Sequence, residues 1–446
     1  MKFKDEIPEK HSISDVKNFG LFLLKGQPEL CQFLKQLLGL DEVRVQTHNI
    51  LKLKEWLCVE KLGQINNVPD RNNEICLISQ VVVNGKLIAY YPYILVGRFV
   101  LQYARANNFY SRIAEAISDQ LSACYLQGFR GGDWLFGDKF AQMMVANCVS
   151  TNLYDGIKFA PLIEQMERLS TSTFEGQNFT TGVIVTSNSK HYKKSGFTFL
   201  QERDINKCEK REWFLADGKS SFFIMDPQTC IRYIYTAEKH RTSNFIKDYF
   251  DNYYLKNEQL IEPDFLIRTT GPNELSVIDA TGKEFVKLEN TWHYRYKWNL
   301  IEYLCETLEI SEELSNAILY YVLKCSRLHI STIIWIPKND DPKEIEDLTT
   351  ENRIKLWKSN PNILEERNEA IVDKILASDG AMVINRMGEI IYESVFARLE
   401  KKATSANRLM GTGETAAKHL AQNGIAIKVS QDGAIKIYSG DDKILY

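Results

Sequence analysis

The 446-residue chain is poor in the features that usually announce a function. Its nine cysteines are scattered, and even the closest two, Cys58 and Cys76, stand well apart. That excludes the paired-cysteine zinc spacings and gives no disulfide framework. The seven histidines are equally dispersed, with no His-Glu-x-x-His among them. A net charge of -3 provides no global field for recruiting nucleic acid or an anionic membrane surface, so neither is expected as a partner. Long apolar runs are missing too. Leu87 to Leu101 is broken by Pro92 and Arg98 and is too short to cross a bilayer. The start, Met1-Lys2-Phe3-Lys4-Asp5-Glu6, runs into charge instead of an apolar signal core. Together these point to a cytoplasmic, reducing location. No internal repeat or low-complexity tract is present.

What is present suits a multidomain globular protein. Hydrophobic residues make up 44% of the chain, enough for several cores, and at roughly 150 residues per domain about three domains are expected. We read residues 1–170 as helix-rich, 171–260 as strand-rich, both with a sensory or regulatory role, and 261–446 as an α/β nucleotide-binding domain. Leu30, Phe33, Leu34, Leu37 and Leu38 recur at helical spacing. Asn84-Gly85 predicts a hairpin within Val81 to Ile88. Composition makes Ser170 to Thr181 the linker candidate. Strands are expected at Glu212–Leu215, Ser221–Met225 and Cys230–Tyr235, then at Phe265–Thr269, Leu275–Ile278 and Glu284–Leu288. An aromatic-rich helix over Thr242–Leu255 reads as core. Helices are also expected at Trp298–Leu308 and Ser311–Cys325.

The C-terminal third is locally consistent. Ile330 to Ile336 is a nearly continuous apolar run, as a strand buried on both faces requires. A helix over Ile363–Leu376 leads to Ser378-Asp379-Gly380-Ala381 and a strand at Met382–Ile384. Asn385 to Gly388 turns the chain into Glu389–Phe396. Gly411-Thr412-Gly413-Glu414-Thr415-Ala416-Ala417 opens a helix that Asn423-Gly424 ends. Strands at Ile425–Ser430 and Ala434–Tyr438 are joined by Asp432-Gly433.

Two junctions carry alternative meanings. Asp379 is either a turn residue or a short carboxylate able to hold a divalent cation, which would lower the pKa of a ribose hydroxyl and neutralise phosphate charge. Gly380 beside it would let backbone approach a flat base. The Gly411 to Gly413 turn either presents free N–H groups to a phosphate, or is a plain helix start with Thr412 as N-cap and Glu414 in the first turn. Other phosphate motifs fail. Gly132 and Gly137 have Walker A spacing, but Asp138 precedes Lys139 and Phe140 replaces the Ser/Thr. Gly411-x-Gly413-x-x-Ala416 has the dinucleotide spacing, with Asp432 near the ribose-binding distance, but no apolar strand precedes it. A dinucleotide-dependent enzyme is therefore a distant third reading.

Taken in order, these segments resemble the diadenylate cyclase domain. That family has a buried strand, a variable loop, Asp-Gly-Ala before a hydrophobic hairpin, a Gly-Thr-Arg-His-Arg-Ala-Ala helix start, and a strand ending in Ser-Glu. Asp379-Gly380-Ala381 stands where the catalytic motif stands. Gly411, Thr412, Ala416 and Ala417 frame the second motif, and Ser430 ends the matching strand. The match runs from His329 to the end, or from Phe265 if the strands there belong to it. The resemblance implies a mixed β-sheet flanked by helices that joins two ATP, or another NTP, into cyclic di-AMP with release of pyrophosphate. It implies Asp379 as the metal-binding catalytic residue and Gly380, Ala381, Gly411, Thr412, Gly413 and Thr415 around the nucleotide. It also implies a Mg or Mn cofactor, a homo-oligomer with facing active sites, and control by an N-terminal sensor of unknown ligand.

Two departures matter. The family's Arg-His-Arg is here Gly413-Glu414-Thr415, and its Ser-Glu is Ser430-Gln431, followed by Asp432. A carboxylate about 4 Å from a triphosphate oxygen would cost roughly 4 kcal/mol at an effective dielectric of about 20, nearly three decades of affinity. Either a metal bridges Glu414, with Asp432, to phosphate, or Glu414 faces solvent, where losing it would cost a few tenths of a kcal/mol. Arg398, Arg408 and Lys418 are the nearest candidates in sequence for replacement cations, each otherwise an ordinary solvated surface charge. The same losses fit a second class, a non-catalytic nucleotide sensor that kept the fold without the triphosphate clamp.

Overall fold

The computed structural model describes residues 31–37, 42–45, 74–83, 86–96, 138–150, 159–193, 196–256, 259–271, 274–288, 291–295, 301, 304–305, 307–339, 341–399, 411–440 and 442–445. They form a mixed α/β protein of two compact units. One comprises 1–235, 261–269 and 275–294; the other comprises 236–260, 270–274 and 295–446. Among the described residues no helix is long and apolar enough to cross a membrane.

The first unit opens with a helix at 31–37 and strands β1 (Glu42–Val45), β2 (Glu74–Val83) and β3 (Lys86–Val96), in the order β1-β3-β2. Val83 pairs with Lys86, the two-residue connection that Asn84-Gly85 predicts; those two residues lie outside the described set, as do Gly132, Gly137 and 401–410. Helices α1 (Asp138–Val149) and α2 (Ala160–Ser170) follow. The stretch read as a linker is instead a small hairpin, β4 (Thr173–Phe174) with β5 (Gln177–Asn178), ending on fully buried Phe179. Serine and threonine here serve a turn, not a boundary: Ser170, Thr171 and Ser172 bond back to the last carbonyls of α2.

An eight-stranded sheet follows. Its strands are β6 (Thr181–Val185), β7 (Gly196–Asp204), β8 (Ser221–Met225), β9 (Cys230–Thr236), β10 (Phe265–Gly271), β11 (Glu274–Asp279), β12 (Glu284–Leu288) and β13 (Thr291–Arg295). Their order is β13-β12-β11-β10-β6-β8-β9-β7. Because β10 pairs with β6, the strands after residue 261 join the middle region's sheet and not the C-terminal one. Short helices α3 (Ser189–Tyr192) and α4 (Lys210–Trp213) lie between strands. The second falls where Glu212–Leu215 was expected as strand. A capping box decides it: Glu209 N donates to the Glu212 carboxylate at 2.8 Å, so local capping outweighs the apolar pattern.

The second unit begins with α5 (Phe245–Tyr253), capped by Asn244, and its Phe250, Tyr253 and Tyr254 are core as expected. Residues 301, 304–305 and 307–308 are helical, and α6 (Glu312–Arg327) starts at the Ser311 cap. Then come β14 (Thr332–Ile336), α7 (Pro342–Leu348), α8 (Glu369–Leu376), β15 (Ala381–Ile384), β16 (Ile390–Val395), α9 (Thr412–Leu420), β17 (Ile425–Val429), β18 (Ile435–Ser439) and β19 (Asp442–Leu445). The helix expected from Ile363 starts later, because Asn362 Oδ1 takes the Leu364 N–H in a turn and a 3-10 segment intervenes at Glu366–Asn368.

These strands make one sheet in the order β16-β15-β14-β17-β18-β19, with β14 and β15 parallel and the other neighbours antiparallel. Helices cover both faces. Ile333, Trp335, Ala381, Val383, Ala426 and Tyr438 pack with Ala417, Leu420 and Ala421 of α9 and Ile345 of α7. The alternate residues, including Ile334, Ile336, Met382 and Ile427, are buried on the opposite face, where α6 meets β17 and α8 meets β14 and β15. Lys324 ties those two helices together, reaching Glu369 and Asp373 at 2.7 Å.

The Asp217 loop of the first unit tests the accounting of buried polar groups. Burial acts to raise the Asp217 pKa, but the Ser220 hydroxyl and the N–H groups of Lys219, Ser220 and Ser221 outweigh it and hold the carboxyl at about 2. A depressed carboxyl stabilises the fold above the unfolded pKa, near 3.8, and that contribution fades as pH falls toward 2. Asp217→Asn should therefore cost about 1 kcal/mol at pH 7, allowing for solvent screening of a half-buried group. Urea denaturation at pH 7, 4 and 3 should show wild type and variant converging below pH 4; a constant gap would reject the assignment.

Candidate functional site

The register of the six-stranded sheet gathers the marked junctions at one end. Ile333 pairs with Ala381, Thr332 with Val429, and Val429 with Ile435. The segment before β14 (329–331), the Ser378-Asp379-Gly380 junction before β15 and the 430–433 turn after β17 therefore share an edge. The turn is pinned there: the Ser326 hydroxyl donates to Gly433 O at 2.6 Å, and His329 Nδ1 lies 3.0 Å from Gln431 O. The start of α9 reaches the same end, since a Cβ on Gly413 would lie 3.0 Å from Lys428 Cε.

Asp379 stands between α8 and β15 with its carboxylate exposed, accepting the Gly380 N–H at 3.0 Å. Its carbonyl accepts from the Ser394 hydroxyl at 2.6 Å. Gly380 has φ +97°, and a Cβ there would meet Ser394 Oγ at 2.3 Å. Its glycine is thus required by the neighbouring strand. Ala381 is 1% exposed and belongs to the core, so only its backbone could face a nucleotide.

At the helix start the cap is Gly411, not Thr412, and it provides no side-chain acceptor. Glu414 N and Thr415 N both donate to Gly411 O, and the Thr415 hydroxyl turns back to the same carbonyl at 3.2 Å. The N–H groups of Thr412 and Gly413 remain at the open end of the helix. Glu414 does not face solvent. It accepts from Lys436 Nζ at 2.8 Å and from the Tyr438 hydroxyl at 2.6 Å. Burial, then Glu414, push the Tyr438 pKa well up. Asp432 Oδ1 accepts the Ala434 N–H, a turn role.

Among the described residues no group of three or more His, Cys, Asp or Glu is gathered to hold a metal ion. Asp379, Glu414 and Asp432 are thus not brought together as one ligand set. Asp379 offers a single carboxylate, so an ion held there would need its other ligands from outside this set.

Sequence reasoning missed the cations of this edge. Arg398 and Lys418 lie on α7-side and α9 surfaces, with the Arg398 N–H on Leu348 O. Lys428 and Lys436 instead sit opposite each other on β17 and β18, on the face under α9. Lys428 is 8% exposed and donates to Ser331 Oγ at 2.6 Å. Burial lowers its pKa, Asp432 opposes the shift, and Lys436 adds to it. The available signal was a lysine within the apolar run Ile425-Ala426-Ile427-Lys428-Val429.

No family model matches the chain, and no curated protein matches it. Solved structures that match part of it include a hypothetical membrane spanning protein from Bacillus cereus, at 15% identity over 31% of this chain and 71% of that one, with TM-score 0.24. They also include a double mutant of DacA from Staphylococcus aureus, at 16% identity over 30% of this chain and 86% of that one, with TM-score 0.22. Likeness at this level decides nothing about chemistry, which rests on the residues themselves.

Two substitutions check the geometry. Glu414→Ala removes the shared acceptor of Lys436 and Tyr438 and should cost about 1 to 2 kcal/mol, more than the few tenths of a solvated first-turn residue. Gly380→Ala should cost about 1 to 3 kcal/mol, from the positive φ and the approach of Ser394. Hydrogen exchange of β15 to β18 amides would read both, and unchanged protection in either variant would reject its assignment.

Proposed function

We propose that residues 295–446 form a divergent cyclic-dinucleotide synthase, joining two NTPs, with ATP as the substrate, into cyclic di-AMP and two pyrophosphates. The observation that carries the reading is an exposed Asp379 carboxylate on the same sheet edge as an uncapped helix start. In each step a ribose 3′-oxygen bonds to the α-phosphorus of the other nucleotide, the α–β P–O bond breaks, pyrophosphate leaves, and the hydroxyl proton is lost. Asp379 would hold a Mg or Mn ion, which would supply Lewis-acid chemistry by lowering the hydroxyl's pKa and neutralising leaving-group charge. Gly380 would bring backbone against the base, and the N–H groups of Thr412 and Gly413 would meet phosphate. Two half-sites must face each other, so a homo-oligomer is part of the proposal, with the preceding region as its sensor. The scattered carboxylates favour the second reading, a nucleotide sensor without turnover, and the same experiment separates them.

Purified full-length protein incubated with each NTP and Mg²⁺ or Mn²⁺ should yield a cyclic dinucleotide by mass spectrometry, with activity per protomer rising with protein concentration. Asp379→Asn should keep the fold and slow product formation at least about a hundredfold, the worth of several kcal/mol of lost metal-assisted stabilisation. Nucleotide binding without product would establish the sensor reading instead. Wild-type turnover by the variant, or full activity from a monomer, would reject the synthase.

A further inference from the structure

Lys428 and Lys436 face each other across β17 and β18, an arrangement of like charges that disfavours the sheet unless something neutralises it. Glu414 does so for Lys436 alone. Lys428 has no carboxylate among the described residues within salt-bridge distance; its hydrogen bond goes to the neutral Ser331 hydroxyl. A lysine only 8% exposed, with no carboxylate in salt-bridge distance, is costly to the fold. Burial and Lys436 both lower its pKa, and Asp432 offsets them only in part.

Three features make this incompletely compensated charge a receptor. Gly413 carries no side chain, and a Cβ there would stand 3.0 Å from Lys428 Cε and 3.4 Å from Nζ, so the glycine lets the start of α9 close onto the lysine. The nine-residue helix α9 thus begins beside the lysine, with Gly411 giving no capping side chain. Ser331 is exposed, so the ammonium lies one hydroxyl away from solvent.

We infer that Lys428, Ser331 and the uncapped start of α9 form a binding site for a phosphoryl group that needs no metal. The ligand would accept from Lys428 Nζ, from the Ser331 hydroxyl and from the N–H groups of Thr412 and Gly413. A cation under the helix thereby replaces cations on it, and the Glu414 side chain, drawn aside by Lys436 and Tyr438, leaves the anion's path. The inference deepens the nucleotide reading above by naming what holds the phosphates, but it stands whether or not a cyclic product forms.

Calorimetric titration of full-length protein in EDTA, with orthophosphate, pyrophosphate and ATP as separate probes, tests it. Wild type should bind pyrophosphate saturably, and Lys428→Met should weaken that binding at least about tenfold, as expected for a lost charge-assisted bond. Lys428→Arg should retain binding within a few fold. ATP tighter than pyrophosphate would identify the source as a nucleotide, and equal affinities a free phosphate; either supports the site. Stability without ligand is the second readout. A lysine serving an anion makes Lys428→Met as stable as wild type or more so, whereas a lysine serving the fold makes it less stable. No saturable binding in EDTA, binding indifferent to Lys428→Met, or a Lys428→Met loss of stability that Lys428→Arg restores without restoring binding would overturn the inference. Asp379→Asn separates the two proposals, since it should lose product while still binding pyrophosphate in EDTA.

Discussion

Strand β14 is bonded to neighbours on both edges and covered by helices on both faces, and this enclosure determines where the surrounding loops can go. A strand so enclosed must be apolar throughout, which Thr332-Ile333-Ile334-Trp335-Ile336 nearly is. Its parallel pairing with β15 needs a crossover, and α7, the 349–362 segment and α8 make it. The crossover delivers the chain to Asp379 at the strand's starting end. The antiparallel pairing with β17 delivers Lys428 and Ser430 to the same end from the other side. At the far end Gly424 has φ +106°, where a Cβ would lie 2.1 Å from Ile336 O, so the turn into β17 closes directly on β14. Asn423 O there takes the Trp335 indole N–H at 2.9 Å. One buried strand thus brings together residues nearly a hundred positions apart in sequence, as the Lys428–Ser331 bond shows.

The electrostatics of that edge differ from what composition suggests. Read along the chain, Glu414 is a carboxylate at a phosphate-binding helix start, and its repulsion of a triphosphate argues against ordinary binding. In three dimensions its charge is met by Lys436, whose side chain is 23% exposed and 2.8 Å away. A paired carboxylate projects far less field than an isolated one, so much of that repulsion disappears. Lys428 adds a buried positive charge at this edge, beside the exposed carboxylates of Asp379 and Asp432. The field at the edge therefore depends on cross-strand neighbours as well as on chain order.

The elements that were legible in sequence are those governed by local rules. The run before Pro337, the Asn385-to-Gly388 turn and the hairpin around Asn84-Gly85 follow from burial on both faces or from glycine and asparagine in turns, whereas the helix expected to stop at Asn423-Gly424 ends at Leu420 and Gly424 serves the turn into β17. The Asn385 side chain accepts from Met387 N and Glu389 N, as such turns require. What escaped depends on partners distant in sequence. Phe265–Thr269 reads as a strand, but nothing local assigns it to β6 in place of β14. Lys428 looks like one polar residue in a strand, and only the register places it opposite Lys436 and beside Gly413. Glu212 was misread for a different reason: its capping bond is local, yet the apolar neighbours Trp213 and Leu215 imitate a strand.

The same distinction bears on how much the Asp379-Gly380-Ala381 triplet can prove. Gly380 is required by its positive φ and by Ser394 Oγ, and Ala381 by the core, whatever the protein does. Those two residues would persist in a domain without chemistry. The charge of Asp379 is different. Its side chain takes only the next residue's N–H, which a neutral Asn could take as well, and its carbonyl, not its carboxylate, holds Ser394. Folding thus accounts for a short polar acceptor at that position but not for a negative charge exposed at the edge where Lys428 and the start of α9 converge. Of the three residues, Asp379 is the one whose identity the fold does not explain, and the functional reading rests on its carboxylate.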